Sequence, residues 1–263
     1  TAMDEVVQIM TGMAYMTGPT GRPLRIGSSA NDIMAGLFGA FAVLGALLQR
    51  ISDDKGRLVR TGLFENCLLL VAQHMVQFDI EGREAPPMPE REFSWPVYDI
   101  FKTADDRQIF IGAVTESQWQ TLCDILSLGD LKADPRLQKR MDQIEARDWT
   151  IPRVAKAVLK HTFSELIHDF EKTGIPFSPI SRPAEMYDDP HVNRAGGLYT
   201  STLPEGQTYQ APGFPFEIDG ANPTPYGVDI EEIGQSTFDV LSGLEMDEAQ
   251  ISRAAGKAKR EAV

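Results

Sequence analysis

From Ile33 to Leu48 the chain carries no charge, and its apolar residues fall on every side of the helix that such a run would form. A helix that is apolar all round is a buried one, so IMAGLFGAFAVLGALL predicts a core helix. The run falls short of the ~20 residues that a membrane span needs and is interrupted by Gly36, Gly39 and Gly45. Glycine weakens a helix interior, so Gly36 and Gly39 predict close approach of a neighbouring backbone. A second long buried helix is expected over Phe64–Phe78, with Leu68, Leu69, Val71, Ala72, Met75 and Val76. Ahead of both, Val6, Val7, Ile9, Met10 and Met13 mark a helix over residues 4–16, broken around Gly12, and Thr17–Pro23 is a turn-rich loop. Between the two long helices, Ser52–Arg57 is a polar connection and Leu58–Leu63 has the pattern of a short strand.

The pattern changes after residues 82–96, a proline-rich charged stretch. Val97–Phe101 and Gln108–Gly112 alternate as two strands around the turn Thr103-Ala104-Asp105-Asp106. Glu116–Leu126 is amphipathic, with Trp119, Leu122, Ile125 and Leu126 on one face. Helices are expected over Arg136–Gln143, Ile151–Lys160 and Ser164–Thr173, the last stopped by Gly174-Ile175-Pro176. A strand at Phe177–Ile180, a short helix at Pro183–Asp188 and a hairpin around Pro204-Glu205-Gly206 follow. Asp219–Gly227 is a second linker, and Ile230–Leu241 and Asp247–Ala255 read as terminal helices.

Composition narrows the function classes. The formal charge of -13 over 263 residues argues against nucleic-acid partners, which require a basic face, and against an anionic membrane surface. Cys67 and Cys123 fit neither a disulfide framework nor a metal-ligand spacing, which points to a reducing cytoplasm. His74, His161, His168 and His191 are scattered, so no metal site is expected.

The chemistry concentrates where the loop Gly27-Ser28-Ser29-Ala30-Asn31 meets the first long helix, at Asp32. One reading makes Asp32 an N-cap or first-turn acid, because short polar side chains satisfy the orphan N–H groups of a helix start. The other makes it a carboxylate nucleophile, held ionised at a helix N-terminus with small residues around it.

Nine stretches, in order along nearly the whole chain, resemble the family III CoA-transferases, the group that includes formyl-CoA transferase and carnitine CoA-transferase. They are MDEVVQIMTGMAYMTGPTGRP, Arg25-Ile26-Gly27, Asp32 ahead of Gly36, the charged turn at Gly56, Leu63-Phe64-Glu65, Val97–Asp105, Gly174-Ile175-Pro176, Asp189-Pro190-His191-Val192 and Ile233–Thr237. The resemblance implies that Asp32 is the catalytic aspartate. Its carboxylate would attack an acyl-CoA thioester to give a mixed anhydride and then an aspartyl-CoA thioester, which a carboxylic acid acceptor would resolve. No permanently bound cofactor is implied; coenzyme A and acyl-CoA are substrates. The related α-methylacyl-CoA racemases share the fold but carry a His where this chain has Met3, a residue that cannot hold a proton.

The resemblance also points to Asp4 and Leu63 as substrate-binding residues, Leu63 along the CoA channel. Some members shield the acyl intermediate with a glycine-rich loop; the matching Pro87–Pro96 has no glycine, which leaves Phe93 and Trp95 as the residues for that role. Members are longer, and the chain begins where roughly the first third of them has ended. A preceding segment or a second chain is therefore expected to supply most CoA contacts.

The expected fold is α/β: part of a Rossmann-like large domain (1–85), a small α+β domain with its linker (86–214), and a return linker with C-terminal large-domain helices (215–263); the resemblance implies an interlocked homodimer. The expected activity is acyl-CoA:carboxylate CoA-transfer through Asp32. The alternatives are a racemase of the same fold and an inactive fragment or interaction subunit.

Overall fold

The computed structural model describes residues 3–91, 94–223 and 229–261. Its contacts divide the chain into two compact units, Thr1–Ser178 and Pro179–Val263.

The first unit opens with helices: α1 (Asp4–Met10), α2 (Met13–Thr17), α3 (Ala30–Asp53) and α4 (Leu63–Glu81). The break expected at Gly12 is there, with Gly12 in the left-handed region at φ 87 as the N-cap of α2. The loop after α2 turns tightly: the Ala14 carbonyl accepts from both Gly18 N (3.2 Å) and Leu24 N (3.0 Å). A Cβ on Gly18 would lie 2.1 Å from the Arg22 carbonyl oxygen, so only glycine fits. α1 packs against both α3 and α4, and Thr11 Oγ1 donates to Cys67 Sγ of α4 at 2.9 Å.

Several expectations for this region are corrected. Leu58–Leu63 is not a strand, because no described segment pairs with it; the chain runs extended into α4, which starts at Leu63. The two long apolar helices form but are buried only in part, at Ala35 of α3 and at Cys67 and Val71 of α4. Ile33, Leu37, Phe41, Leu44, Leu48 and Ile51 of α3 are exposed, Ile51 at 82%, as are Phe64, Leu69, Met75, Val76 and Phe78 of α4. Full helix length also makes α3, unlike the run Ile33–Leu48 alone, long and apolar enough to cross a membrane by length and composition. Gly36 meets nothing, and a Cβ on Gly39 would only touch the Thr61 methyl at 3.4 Å, so neither serves a close backbone approach among the described residues.

The hydrophobic core lies in the following stretch. β1 (Val97–Lys102) and β2 (Gln108–Ala113) pair antiparallel from Val97↔Ala113 to Lys102↔Gln108, and β3 (Phe177–Pro179) joins the far edge of β2. The inward residues Val97, Phe101, Ile109 and Ile111 meet Trp119 and Leu122 of α5 (Glu116–Ile125), Val154 and Val158 of α8 (Arg147–Val158), and Phe163, Leu166 and Phe170 of α9 (Phe163–Thr173). Between α5 and α8 come α6 (Gly129–Ala133), which the sequence pattern misses, and α7 (Arg140–Glu145). The helix expected over Arg136–Gln143 is split, because Pro135 opens a separate 3-10 turn, Pro135–Leu137.

Local signals explain the ends of these helices. Thr115 with Gln118 and Thr162 with Glu165 form capping boxes, and Gly174 ends α9 at φ 70. The β1–β2 turn docks on the α8–α9 connection: Asp105 Oδ1 accepts from Thr103 Oγ1 (2.7 Å) and from Phe163 N (2.9 Å). Those hydrogen bonds hold the Asp105 carboxyl below its ordinary range.

The second unit centres on a hairpin, β4 (Leu198–Thr202) and β5 (Thr208–Pro212), in register from Leu198↔Pro212 to Thr202↔Thr208. A Cβ on Gly197 would fall 2.0 Å from the Val192 carbonyl oxygen, which ties the hairpin to the Asp189-Pro190-His191-Val192 turn. The Asp189 side chain accepts from His191 N (2.7 Å) and Val192 N (3.2 Å). The terminal helices form later than the pattern suggests, α10 over Thr237–Gly243 and α11 over Glu248–Glu261. Residues 230–236 make turns instead, with Gly234 at φ 86.

Candidate active site

Asp32 sits in the first turn of α3 and is exposed. Ser29 is the N-cap, yet its side chain makes no capping bond. The cap comes from a different helix. Asp4 Oδ1 accepts from the backbone N–H of Asn31 (2.9 Å) and of Asp32 (3.2 Å). A carboxylate at this end gains from both the orphan donors and the positive end of the helix dipole. Asp4 thus takes the role that the sequence left open for Asp32. The Asp32 carboxylate makes no hydrogen bond or ion pair among the described residues.

Asp4 is 6% exposed and its neighbour on the same face of α1, Gln8, is 1% exposed. Gln8 Nε2 donates to Asp4 Oδ2 at 2.6 Å, and Gln8 Oε1 accepts from Ile26 N at 3.0 Å. Arg25 adds an exposed ion pair with Glu5 at 3.2 Å, a contact of ~1 kcal/mol at most. Asn31, fully buried beside Asp32, has no partner for either side-chain polar atom among the described residues. Its backbone N–H is nevertheless held by Asp4.

Two openings border α4. One, of about 520 Å³, is lined by Phe38, Phe41 and Ala42 of α3 and by Arg60, Thr61 and Glu65 around the start of α4. Asn66 shapes its floor, with Nδ2 donating to Thr61 Oγ1 (2.9 Å) and to the Gly62 carbonyl (2.6 Å). The other, of about 600 Å³, lies between α1–α2 and α4, with Thr11, Tyr15, Met16, His74 and Asp79 among its walls. Among the described residues no three His, Cys, Asp or Glu side chains come together as a metal site.

Of the other residues singled out from sequence, only Asp4 is hydrogen-bonded to the Asp32 backbone among the described residues. Leu63 opens α4, half-buried, next to the Gly62 that lines the smaller opening. Asp4 is nearly buried, with Oδ1 engaged at the start of α3 and Oδ2 by Gln8. Trp95 is bound to the core side of the unit: Arg147 Nη1 donates to its carbonyl at 2.6 Å and the Arg140 guanidinium lies 5.6 Å from its ring centre. Asp99 fastens the same stretch through Arg91 (3.1 Å) and Arg147 (2.5 Å). Phe93 lies outside the described residues. Sequence reading does not single out Gln8 or Asn31. The spacing of Asp4 and Gln8, four apart on one helix face, is the signal that marks Gln8.

The family model for CoA-transferase family III matches residues 1–229. The chain is 26% identical over 257 residues to the succinyl-CoA:glutarate CoA-transferase of Mus musculus, covering 95% of this chain and 57% of that protein. It is 26% identical over 221 residues to the acetyl-CoA:oxalate CoA-transferase of Acetobacter aceti, covering 83% and 55% respectively. It therefore spans little more than half the length of these curated relatives. A solved CAIB/BAIF family protein from Brucella suis shares the fold, with a TM-score of 0.76 at 21% identity over 93% of this chain and 63% of that one.

Proposed function

The chain belongs to CoA-transferase family III, and from that premise we propose that it carries the nucleophile of an acyl-CoA:carboxylate CoA-transferase, Asp32. The observation that carries the reading is the division of labour between two carboxylates at one helix end. Asp4 satisfies the N–H groups of Asn31 and Asp32, and the Asp32 carboxylate stands exposed and unengaged. A carboxylate is a weak nucleophile, so it must be positioned, ionised and free of competing partners.

In the proposed reaction an Asp32 oxygen attacks the thioester carbonyl of the donor. The carbon–sulfur bond breaks, CoA leaves as the thiolate and an acyl-aspartyl anhydride remains. The thiolate then attacks the Asp32 carboxyl carbon and releases the donor acid, leaving an aspartyl-CoA thioester. The acceptor carboxylate attacks that thioester, and the departing thiolate attacks the acceptor's carbonyl in the new anhydride. Product acyl-CoA forms and Asp32 is regenerated. Small dicarboxylic acids are the acceptor class we favour, because glutarate and oxalate appear in the names of the two relatives. The racemase alternative gains no support, since no imidazole among the described residues contacts the Asp32 carboxylate.

The three-part division at 85 and 214, the Rossmann-like character of the large domain and an interlocked homodimer belong to the same proposal. What supports the dimer is the run of exposed apolar side chains along α3, Ile33, Leu37, Phe41, Leu44, Leu48 and Ile51, the kind of contiguous surface that marks an interaction site. Most contacts to CoA would come from parts of the enzyme beyond this chain's share of its relatives' length.

The test is chemical trapping. Incubation with a panel of acyl-CoAs and hydroxylamine should leave a hydroxamate on Asp32, found by peptide mass spectrometry, and Asp32→Ala should abolish turnover. The absence of any adduct, together with wild-type turnover by Asp32→Ala, would sink the reading.

A further inference from the structure

We propose that Asp4 and Gln8 form a two-residue clamp on α1 that positions Asp32 without touching substrate; this deepens the reading of Asp32 as the nucleophile and rests on it. The hydrogen bonds form one connected path. Gln8 Oε1 holds the N–H of Ile26, Gln8 Nε2 holds Asp4 Oδ2, and Asp4 Oδ1 holds the N–H groups of Asn31 and Asp32. The clamp therefore grips both ends of the loop that delivers Asp32. Between those two grips lie Gly27, Ser28, Ser29 and Ala30, small residues of which Gly27, Ser28 and Ser29 are exposed. Nothing else in the loop has the bulk to fix its path.

Burial gives the arrangement its rigidity. Both side chains are nearly sealed from water, and each polar atom of the pair has a partner inside the protein. A fully satisfied buried polar network specifies one geometry, whereas losing one member leaves the others unpaired in a poorly solvating site. With three donors on its two oxygens, the Asp4 carboxylate cannot rotate without giving up a bond. Rotation of α1 would displace Ile26 and Asp32 together, so α1 and the start of α3 move as one body.

The experiment compares wild type with Asp4→Asn, Asp4→Ala, Gln8→Ala and the Asp4→Ala/Gln8→Ala double variant. Two readouts are taken: the rate of Asp32 hydroxamate formation at saturating acyl-CoA, and backbone amide exchange at Asn31, Asp32 and Ile26. Misplacement of a reacting group costs on the order of 100-fold in rate. Asp4→Ala should lose about that much in kcat at nearly unchanged KM, and Asp4→Asn, which keeps one acceptor oxygen, should recover part of it. Because the two residues share one network, the double variant should be little worse than Asp4→Ala alone. Exchange at Asn31 and Asp32 should accelerate in Asp4→Ala while amides of α9 keep their protection, which separates loss of the clamp from loss of the fold.

Wild-type kcat in a folded Asp4→Ala, or independent effects that simply add, would overturn the proposal. Unchanged exchange at Asn31 and Asp32 in Asp4→Ala would overturn it as well. If wild type itself forms no hydroxamate on Asp32, the reading of Asp32 fails on that readout. The exchange data then still decide whether Asp4 and Gln8 hold the loop.

Discussion

The two halves of the first unit are built on opposite plans. In residues 97–178 the strands and helices enclose an apolar core, with Trp119, Ile109, Ile111, Leu166 and Phe170 sealed from water. In residues 3–81 most of the large apolar side chains of α3 and many of those of α4 face outward, while Asp4, Gln8, Asn31 and Asn66 are buried beside Val7, Cys67 and Val71. A folded unit that stands alone hides its apolar surface. The inverted half is organised instead around one polar task, holding the helix end that carries Asp32, and leaves its apolar faces for a cover. The core half is the stable platform, and in the proposed function the helical half carries the chemistry.

Mutations distinguish the two halves. Phe170→Ala, in the sealed core, should cost about 3–5 kcal/mol in urea unfolding; a loss below ~1 kcal/mol would show that this half is not the platform. Cys123 provides a second, pH-dependent probe of the same core. Burial, reinforced by the negative charge of Asp124, pushes its thiol from an ordinary 9.0 to about 12. The folded state then holds a proton that the unfolded state releases above pH 9, so stability falls as pH rises from about 9 toward 12. The slope is up to roughly 1.4 kcal/mol per pH unit, and Cys123→Ala should flatten it. The smallest effect is expected on the outer face of α3. Phe41, 73% exposed, should change unfolding stability by no more than ~0.5 kcal/mol when replaced by Ala in dilute monomer. A much larger loss would mean that α3 is already covered within one chain. Sedimentation of the same variant sharpens the point, because weakened self-association would locate the proposed dimer contact there.

The same contrast separates what the sequence makes legible from what it hides. The β1–β2 hairpin, α5 and α9 follow from alternation, helical periodicity and capping residues, because in a self-contained core local pattern and burial agree. In the helical half they do not agree. An all-apolar run such as Ile33–Leu48 reads as buried whether its cover belongs to the same segment or not, so its position was legible and its exposure was not. Leu58–Leu63 failed for the same reason: a strand pattern carries no information about whether a partner strand is present. Asp32 was legible as an acid at a helix start, since loop, cap-type residues and apolar run adjoin in sequence. Asp4 was legible as a site residue, and its four-residue spacing marks Gln8, but their hold on the loop was not, because the bonds to Asn31 and Ile26 are made by backbone N–H groups that no side-chain pattern reveals.

In the proposed function Asp32 exchanges oxygen with its substrates. In the proposed anhydride steps one carboxylate oxygen of the acceptor passes to Asp32 and, in the next cycle, to the released donor acid. Turnover with an acceptor labelled with heavy oxygen, followed by peptide mass spectrometry, follows that atom directly. The prediction is label in the Asp32 carboxyl and in no other acidic residue. Product formation with no label at Asp32 would contradict the central claim, since CoA would then have moved without passing through this carboxylate.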